Sequence, residues 1–281
     1  MKELLINNTI WSLLIGILAF ILLCIIMLPT ILRWLGLHPH YESKDYNLEE
    51  NRALIITTSH DTLGEGGKAT GVYSSEMTIP YYEFLDAGII VDVASIQGEK
   101  IPVEPRSLKW PLTTAADKRS LKDNDFQNKL NNSIKIDEIN IMEYDLIYMA
   151  GGWGAAYDLG QSQVLGQKIS EAYAEDKIIG SVCHGALGFL QAVNENGDNL
   201  VKEKQMTAVT DKQIKELGIT ETPLHPETEL RKAGAKFESE TAFKDFFANH
   251  VTRDGNIVTG QNQNSGGETA NLMMKLLSEK K

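Results

Sequence analysis

The chain has 281 residues, of which 42% are hydrophobic and 23% are charged, values that are ordinary for a folded globular protein. Its formal net charge of −11 at pH 7 argues against a general affinity for nucleic-acid phosphates, so no nucleic-acid partner is expected. The two cysteines lie in different settings, Cys24 in an apolar stretch and Cys183 far along the chain, and no disulfide is expected between them.

The first predicted element is an apolar segment close to the N-terminus. Residues 10–28 carry no charged side chain and are about as long as a helix that crosses a bilayer. A cleaved signal peptide is the alternative, but the segment is longer than a signal-peptide core and no small-residue cleavage site follows it. We predict a single-pass anchor within residues 1–37, a linker over 38–50 and a folded domain over 51–281. The flanking charges leave open the side of the membrane on which the domain lies.

After the linker, strand-like and helix-like patterns alternate. The patterns predict strands at 52–59, 89–95, 144–152, 177–183, 205–210 and 256–260, and helices at 75–87, 164–175, 185–193 and 270–277. Such alternation is typical of the α/β class, in which helices cover both faces of a mostly parallel sheet. Ligand sites of these sheets lie at the carboxyl ends of the strands.

One cysteine occupies the place of a nucleophile in this pattern. In the segment IIGSVCHGALGFL a strand ends at Val182, Cys183 takes the turn, and small residues follow. This pattern indicates a nucleophile elbow, and the start of the following helix is expected to lower the pKa of the thiol. A buried structural cysteine is the alternative. His184 is placed to act as a base or to donate its backbone N–H.

A glycine pair follows the strand predicted at 144–152. In AGGWGAAYDL, residues 150–159, the glycines allow backbone N–H groups to face a pocket, which is the requirement for an oxyanion hole. A tight structural turn is the alternative. GGWG lacks the spacing of a dinucleotide-binding fingerprint. The six histidines are scattered and form no metal motif, so neither a metal nor a cofactor is expected.

These segments resemble a known family. The matching segments are GKATGVYSSEMTIPYYEFLDAG at 67–88, AGGWGAAYDL at 150–159, VCHGALGFL at 182–190 and DGNIVTGQNQNS at 254–265. On them the chain is similar to the ThiJ/PfpI superfamily, and within it to glutathione-independent glyoxalases and heat-shock chaperones. The resemblance implies a flavodoxin-like sheet with the class I glutamine amidotransferase-like fold.

The resemblance also implies roles for single residues. Cys183 would be the nucleophile, His184 its catalytic neighbour and Glu76 the carboxyl that hydrogen-bonds the thiol. Gly152 and the backbone of His184 would form the oxyanion hole, in a pocket that includes Gly151 and Trp153. Trp153 stands where the family often has histidine.

One departure from the family bears on catalysis. In close relatives an acid that orients the histidine follows the strand matching 205–210. Here Gln213 and Ile214 occupy the corresponding places, and Asp211 and Glu216 are the nearest acids that could substitute. An imidazole without its orienting acid can lose orders of magnitude in rate.

The predicted function is that of a cysteine-dependent enzyme acting on small reactive carbonyls. It would be either a glyoxalase III-like lyase that turns methylglyoxal into lactate or a hydrolase that repairs glycation adducts. The alternative is a non-catalytic redox-sensing or chaperone-like stress protein that uses the same cysteine. An amidotransferase or cysteine peptidase of the same fold is a third interpretation. The expected partners are a small aldehyde or glycated substrate and the membrane, through residues 10–28; a homodimer is left open.

Overall fold

The computed structural model describes residues 2–34 and 44–280 of the chain, which divides into two compact units, Met1–His40 and Tyr41–Lys281. Residues 35–37 of the predicted anchor and 38–43 of the predicted linker lie outside the described residues. Each unit is described by itself.

The first unit contains one long helix, α1, Lys2–Trp34. Its segment Ile10–Leu28 has a mean hydropathy of 2.9 and is long and apolar enough to cross a membrane. Large apolar side chains such as Leu13, Leu18 and Phe20 are exposed, so the described part of the helix is not the buried core of a folded unit.

The second unit is an α/β structure. Its strands are β1 Arg52–Thr57, β2 Thr62–Leu63, β3 Lys68–Ala69, β4 Ile90–Ser95, β5 Ile134–Lys135, β6 Leu146–Met149, β7 Ile178–Val182, β8 Gln205–Met206, β9 Lys236–Phe237, β10 Val251–Asp254 and β11 Ile257–Gly260. Its α-helices are α2 Ser74–Asp86, α3 Ala115–Ser120, α4 Asn124–Asn131, α5 Ala155–Asp158, α6 Gln163–Ala174, α7 Asp211–Glu216, α8 Pro226–Lys232 and α9 Gly266–Glu279.

Seven strands form the main sheet, in the order β10, β11, β7, β6, β1, β4, β5. Every neighbouring pair is parallel except β10 with β11, which is antiparallel. In the register of the central strands Ala53 lies beside Leu146, which in turn lies beside Ile178. The predicted mostly parallel sheet is confirmed, and its central strands are continuous apolar runs because both faces are covered.

The two faces of the sheet carry two separate hydrophobic cores. Ile55 points to the core that includes Met77 of α2 and Met273 of α9. Leu54 points to the other core, which contains Ile169 of α6. The side chains of neighbouring residues in one strand therefore pack into opposite cores, as the alternation of side chains along a β-strand requires.

Two predicted elements were wrong. Instead of a helix over 185–193, the structure has a 3₁₀-helix, Cys183–Phe189, which contains the poor helix formers Gly185 and Gly188. The strand predicted at 205–210 is only Gln205–Met206, and it pairs with β9 in a separate two-stranded sheet. The strand cannot extend to Thr210, because the hydroxyl of that residue caps α7.

Candidate active site

Cys183 lies at the turn between β7 and the 3₁₀-helix. Its φ angle is +57°, in the left-handed region that costs a residue with a side chain about 1–2 kcal/mol. The turn places the sulfur at the carboxyl end of the sheet, where the side chain is only 6% exposed. A strained backbone at one buried thiol is consistent with a functional turn.

The structure brings together the residues for which the resemblance implied roles. The Cys183 sulfur lies 3.4 Å from Nδ1 of His184, and it also hydrogen-bonds the Glu76 carboxyl. The backbone N–H groups of Gly152 and His184 donate to the same sulfur. One sulfur atom therefore contacts an imidazole, a carboxyl group and two backbone donors.

The glycine pair is required by this close packing. A Cβ atom at Gly151 would lie 2.6 Å from Oε2 of Glu76 and 2.6 Å from the backbone nitrogen of His184. Gly152 has a φ of +108°, and a Cβ atom there would lie 2.3 Å from the backbone nitrogen of Tyr73. Only glycine lets the backbone pass this close to Glu76, His184 and Tyr73.

Glu76 is in the first turn of α2 and is almost completely buried. Burial raises the pKa of its carboxyl to about 8, although the contact with Cys183 and the N–H of Gly151 act in the opposite direction. Oε2 has no hydrogen-bond partner among the described residues. At neutral pH the Glu76 carboxyl therefore holds a proton in most molecules.

The expected lowering of the thiol pKa was wrong. Burial raises the pKa of Cys183, an ionised Glu76 raises it further, and the backbone N–H groups of His184 and Gly152 only partly offset this. The loss of hydration destabilises the thiolate more than the hydrogen bonds from these two N–H groups stabilise it. Because Cys183 and Glu76 touch, the loss of the first proton belongs to the pair rather than to either residue.

His184 is fully buried, and its ring meets that of Trp153 edge to face at 5.1 Å between centroids. Burial lowers the pKa of its imidazole to about 3, with a smaller contribution from the charge of His225. The imidazole is therefore neutral at neutral pH and can accept a proton. Its Nε2 has no hydrogen-bond partner in the part of the chain that the structure describes.

Neither acid considered as a substitute for the orienting group contacts His184. Asp211 accepts a hydrogen bond from Thr228, with 2.6 Å between the oxygens. Glu216 accepts one from the backbone N–H of Asp245 at 2.9 Å. Neither acid therefore takes the place of an orienting group, and Gln213 lines the site.

A small cavity of about 20 Å³ adjoins Cys183. This volume holds roughly one water molecule, so a ligand of several heavy atoms requires the walls to move. Four lining residues were not predicted from the sequence: Tyr73, Leu217, Phe246 and Gln263. Tyr73 and Gln263 lie in segments that carried the family resemblance, whereas no motif marked Leu217 or Phe246.

Comparison with known proteins identifies the family of the chain. A family model described as the DJ-1/PfpI family matches residues 68–276. The chain belongs to the DJ-1/PfpI family. The match includes Glu76, Gly152, Cys183 and His184 and begins well after α1. The family predicted from the sequence is confirmed.

The chain matches several relatives over most of the length of those proteins. The glutathione-independent glyoxalase hsp3101 of Schizosaccharomyces pombe is 29% identical over 240 residues, which cover 81% of this chain and 96% of that protein. The crystal structure of glyoxalase III from Candida albicans is 26% identical with a TM-score of 0.73, over 80% of this chain and 96% of that one. The Rapid Encystment Protein 24 KDa of Francisella tularensis is 32% identical with a TM-score of 0.76, over 81% of this chain and 99% of that one.

Proposed function

We propose that this DJ-1/PfpI protein is a glyoxalase that converts a small 2-oxoaldehyde, such as methylglyoxal, into a 2-hydroxy acid without glutathione, in defence against reactive carbonyls. The observation that carries the proposal is the contact of the Cys183 sulfur with His184, Glu76 and two backbone N–H groups. Two similar proteins, from S. pombe and C. albicans, carry the name glyoxalase.

In the first step the neutral imidazole of His184 takes the thiol proton at Nδ1, and the Cys183 sulfur forms a bond to the aldehyde carbon. The aldehyde oxygen gains negative charge, which the N–H groups of Gly152 and His184 stabilise as an oxyanion hole. The imidazolium then returns its proton to that oxygen. The product is a neutral hemithioacetal on Cys183.

In the second step a proton moves from one carbon to the next. His184 removes the hydrogen from the carbon bonded to sulfur, and the protonated Glu76 gives its proton to the neighbouring carbonyl oxygen, which yields an enediol. His184 then protonates the second carbon, while the hydroxyl on the first carbon returns a proton to Glu76. The resulting thioester reacts with water, which releases the 2-hydroxy acid and the Cys183 thiol.

The two cysteines provide a matched test. The chain incubated with methylglyoxal in the absence of glutathione should form lactate, and Cys183→Ala should abolish this activity. Cys24→Ala removes the other thiol, which lies in α1, and should leave the rate unchanged. Lactate is measured by an enzymatic assay. Equal rates in the wild type and Cys183→Ala would contradict the proposal.

The cavity favours a free 2-oxoaldehyde over a glycation adduct. Hydrolysis of an adduct could use the same sulfur and water, but the substrate would carry a whole amino acid into a cavity of about 20 Å³. A three-carbon aldehyde requires a much smaller movement of the walls.

A redox sensor is the second candidate, and the unpartnered Nε2 of His184 favours it. Without an orienting group the imidazole is a poorer base, whereas oxidation of the sulfur needs only a thiolate and peroxide. Intact mass after mild peroxide treatment distinguishes the two functions. A sensor would gain two oxygen atoms on Cys183 and form no lactate.

The chain is also proposed to be anchored in a membrane through Ile10–Leu28 of α1. Its 19 residues rise about 28 Å as a helix, close to the thickness of a bilayer core. The family match begins at residue 68, so α1 is outside the part that corresponds to the catalytic fold.

A further inference from the structure

Two buried carboxamides line the cavity together with Cys183. Gln213 is 2% exposed and Gln263 is 9% exposed. Gln213 and Ile214 occupy the places where the family resemblance implies an acid that orients His184, and of these two only Gln213 lines the cavity. A carboxamide differs from a carboxylate because it can donate hydrogen bonds as well as accept them.

The orientation of Gln213 is fixed by a chain of amide groups. Its Oε1 lies 3.1 Å from Nδ2 of Asn262, whose two hydrogens are shared between this oxygen and two backbone oxygens at 3.0 Å. Its Nε2 donates to Oε1 of Gln263 at 3.4 Å, and Nε2 of Gln263 donates to the backbone oxygen of Phe246 at 3.0 Å. A reversed amide would set its NH₂ group against the donor of Asn262, so the nitrogen of Gln213 is held in one place.

One hydrogen of the Gln213 amide remains available. Nε2 carries two hydrogens, and its hydrogen bond to Gln263 uses one of them. Among the described residues that line the cavity there is no lysine or arginine. The cavity wall therefore offers a neutral hydrogen-bond donor. Such a donor suits a ligand with an uncharged carbonyl oxygen better than a ligand with a carboxylate group.

We propose that Gln213 is a specificity-determining residue that donates a hydrogen bond to the second carbonyl oxygen of the substrate, on the carbon next to the one that Cys183 attacks. The inference rests on the proposed function. This oxygen gains negative charge as the neighbouring C–H proton leaves, so the hydrogen bond strengthens along the reaction and affects kcat as well as KM. A simple aldehyde lacks the oxygen and gains nothing from Gln213.

A pair of alkylating agents tests the contact without any turnover. Bromoacetone and 3-bromo-2-methylpropene have nearly the same shape, and in both the sulfur bonds to the CH₂ carbon while bromide leaves. Only bromoacetone has an oxygen on the neighbouring carbon. The quantity measured is the rate of alkylation of Cys183 by bromoacetone divided by its rate with the alkene, in the Cys24→Ala chain. Gln213→Met should lower this ratio about fivefold.

Gln261 offers a matched control. It is a fully buried carboxamide that bonds the backbone of Glu240, and it does not line the cavity. Gln261→Met should leave the ratio of rates unchanged. Gln213→Leu also removes the donor, so it should lower the ratio as well and serves if Gln213→Met does not fold.

The two arms of the experiment separate the two proposals. If the chain forms no lactate but the ratio of rates still falls in the Gln213 variants, the glyoxalase function is wrong and the recognition by Gln213 stands. If the chain forms lactate, Gln213→Met should lower kcat/KM for methylglyoxal about tenfold or more. If both alkylating agents react with the variants in the same ratio as with the parent chain, the inference is overturned.

Discussion

Among single residues, Glu76 has the protonation state on which the proposed proton transfers depend. Burial raises the pKa of its carboxyl from 4.5 to about 8, so the folded chain holds a proton that the unfolded chain releases above about pH 5. The stability that comes from this group is complete below the unfolded pKa and is lost as the pH rises to about 8. We expect Glu76 to contribute a decrease on the order of 4 kcal/mol in the free energy of unfolding over this range.

Urea unfolding of the chain in mild detergent, from pH 5 to pH 8, measures this contribution. The stability of the wild type minus that of Glu76→Gln should fall with rising pH, because the variant has no carboxyl to titrate. Glu195→Gln, which removes a carboxyl at an exposed site, serves as the control. A flat difference for Glu76→Gln would mean that Glu76 is ionised at neutral pH, and the proton transfer through it would fail.

The residues of the site could be found from the sequence, but their protonation could not. Cys183 and His184 are adjacent, and Glu76 and Gly152 lie in recognisable segments, so their meeting at one sulfur could be expected. The pKa of the thiol depends on how completely the fold removes it from water and on the charge of Glu76. Neither quantity is visible in a local pattern, which is why the predicted direction was wrong.

Among the elements, the turn that follows β6 has little room for a substitution. Gly152 donates its N–H to the sulfur and has no room for a Cβ atom beside Tyr73. Gly152→Ala should move this backbone and lower lactate formation roughly 100-fold or more, the usual cost of losing one oxyanion-hole donor. The rate of lactate formation at saturating methylglyoxal measures the loss.

Gly197→Ala is the matched control for the backbone. Gly197 also has a positive φ, +81°, but no atom lies within 4 Å of a Cβ built there. The Gly197→Ala variant should lose roughly 1 kcal/mol of stability through backbone strain and keep its rate of lactate formation. If Gly152→Ala were as active as Gly197→Ala, the oxyanion hole would have to be assigned elsewhere.

The elements that the sequence predicted well are those determined by their own composition. The apolar run at 52–59 forms β1, Arg52–Thr57, because its side chains are apolar on both faces of the strand and both faces are buried. The run at 205–210 is equally rich in β-branched residues. However, the hydroxyl of Thr210 accepts a hydrogen bond from the N–H of Gln213, and Thr210 is the N-cap of α7. Which of the two structures a short segment adopts depends on distant contacts, so such boundaries could not be read locally.

At the scale of the whole molecule, we expect α1 to hold the chain at a membrane. With exposed apolar side chains along Ile10–Leu28, the wild type should remain in the membrane fraction after carbonate washing. Replacing Leu14 and Leu18 by arginine adds a cost of insertion of about 5–7 kcal/mol, because each charge near the centre of a helix costs about 2.5–3.5 kcal/mol. The double variant should therefore appear in the soluble fraction with its activity on methylglyoxal intact.

Leu121→Arg is the control for added charge, since Leu121 is an exposed leucine of the second unit, and this variant should stay in the membrane fraction. The intact mass of the wild type separates an anchor from a signal peptide. A mature chain that lacks residues 10–28 would contradict the anchor, as would a full-length wild type in the soluble fraction. Retention of the full-length chain, lost only in the α1 variant, would place the proposed glyoxalase activity at a membrane surface rather than throughout a compartment.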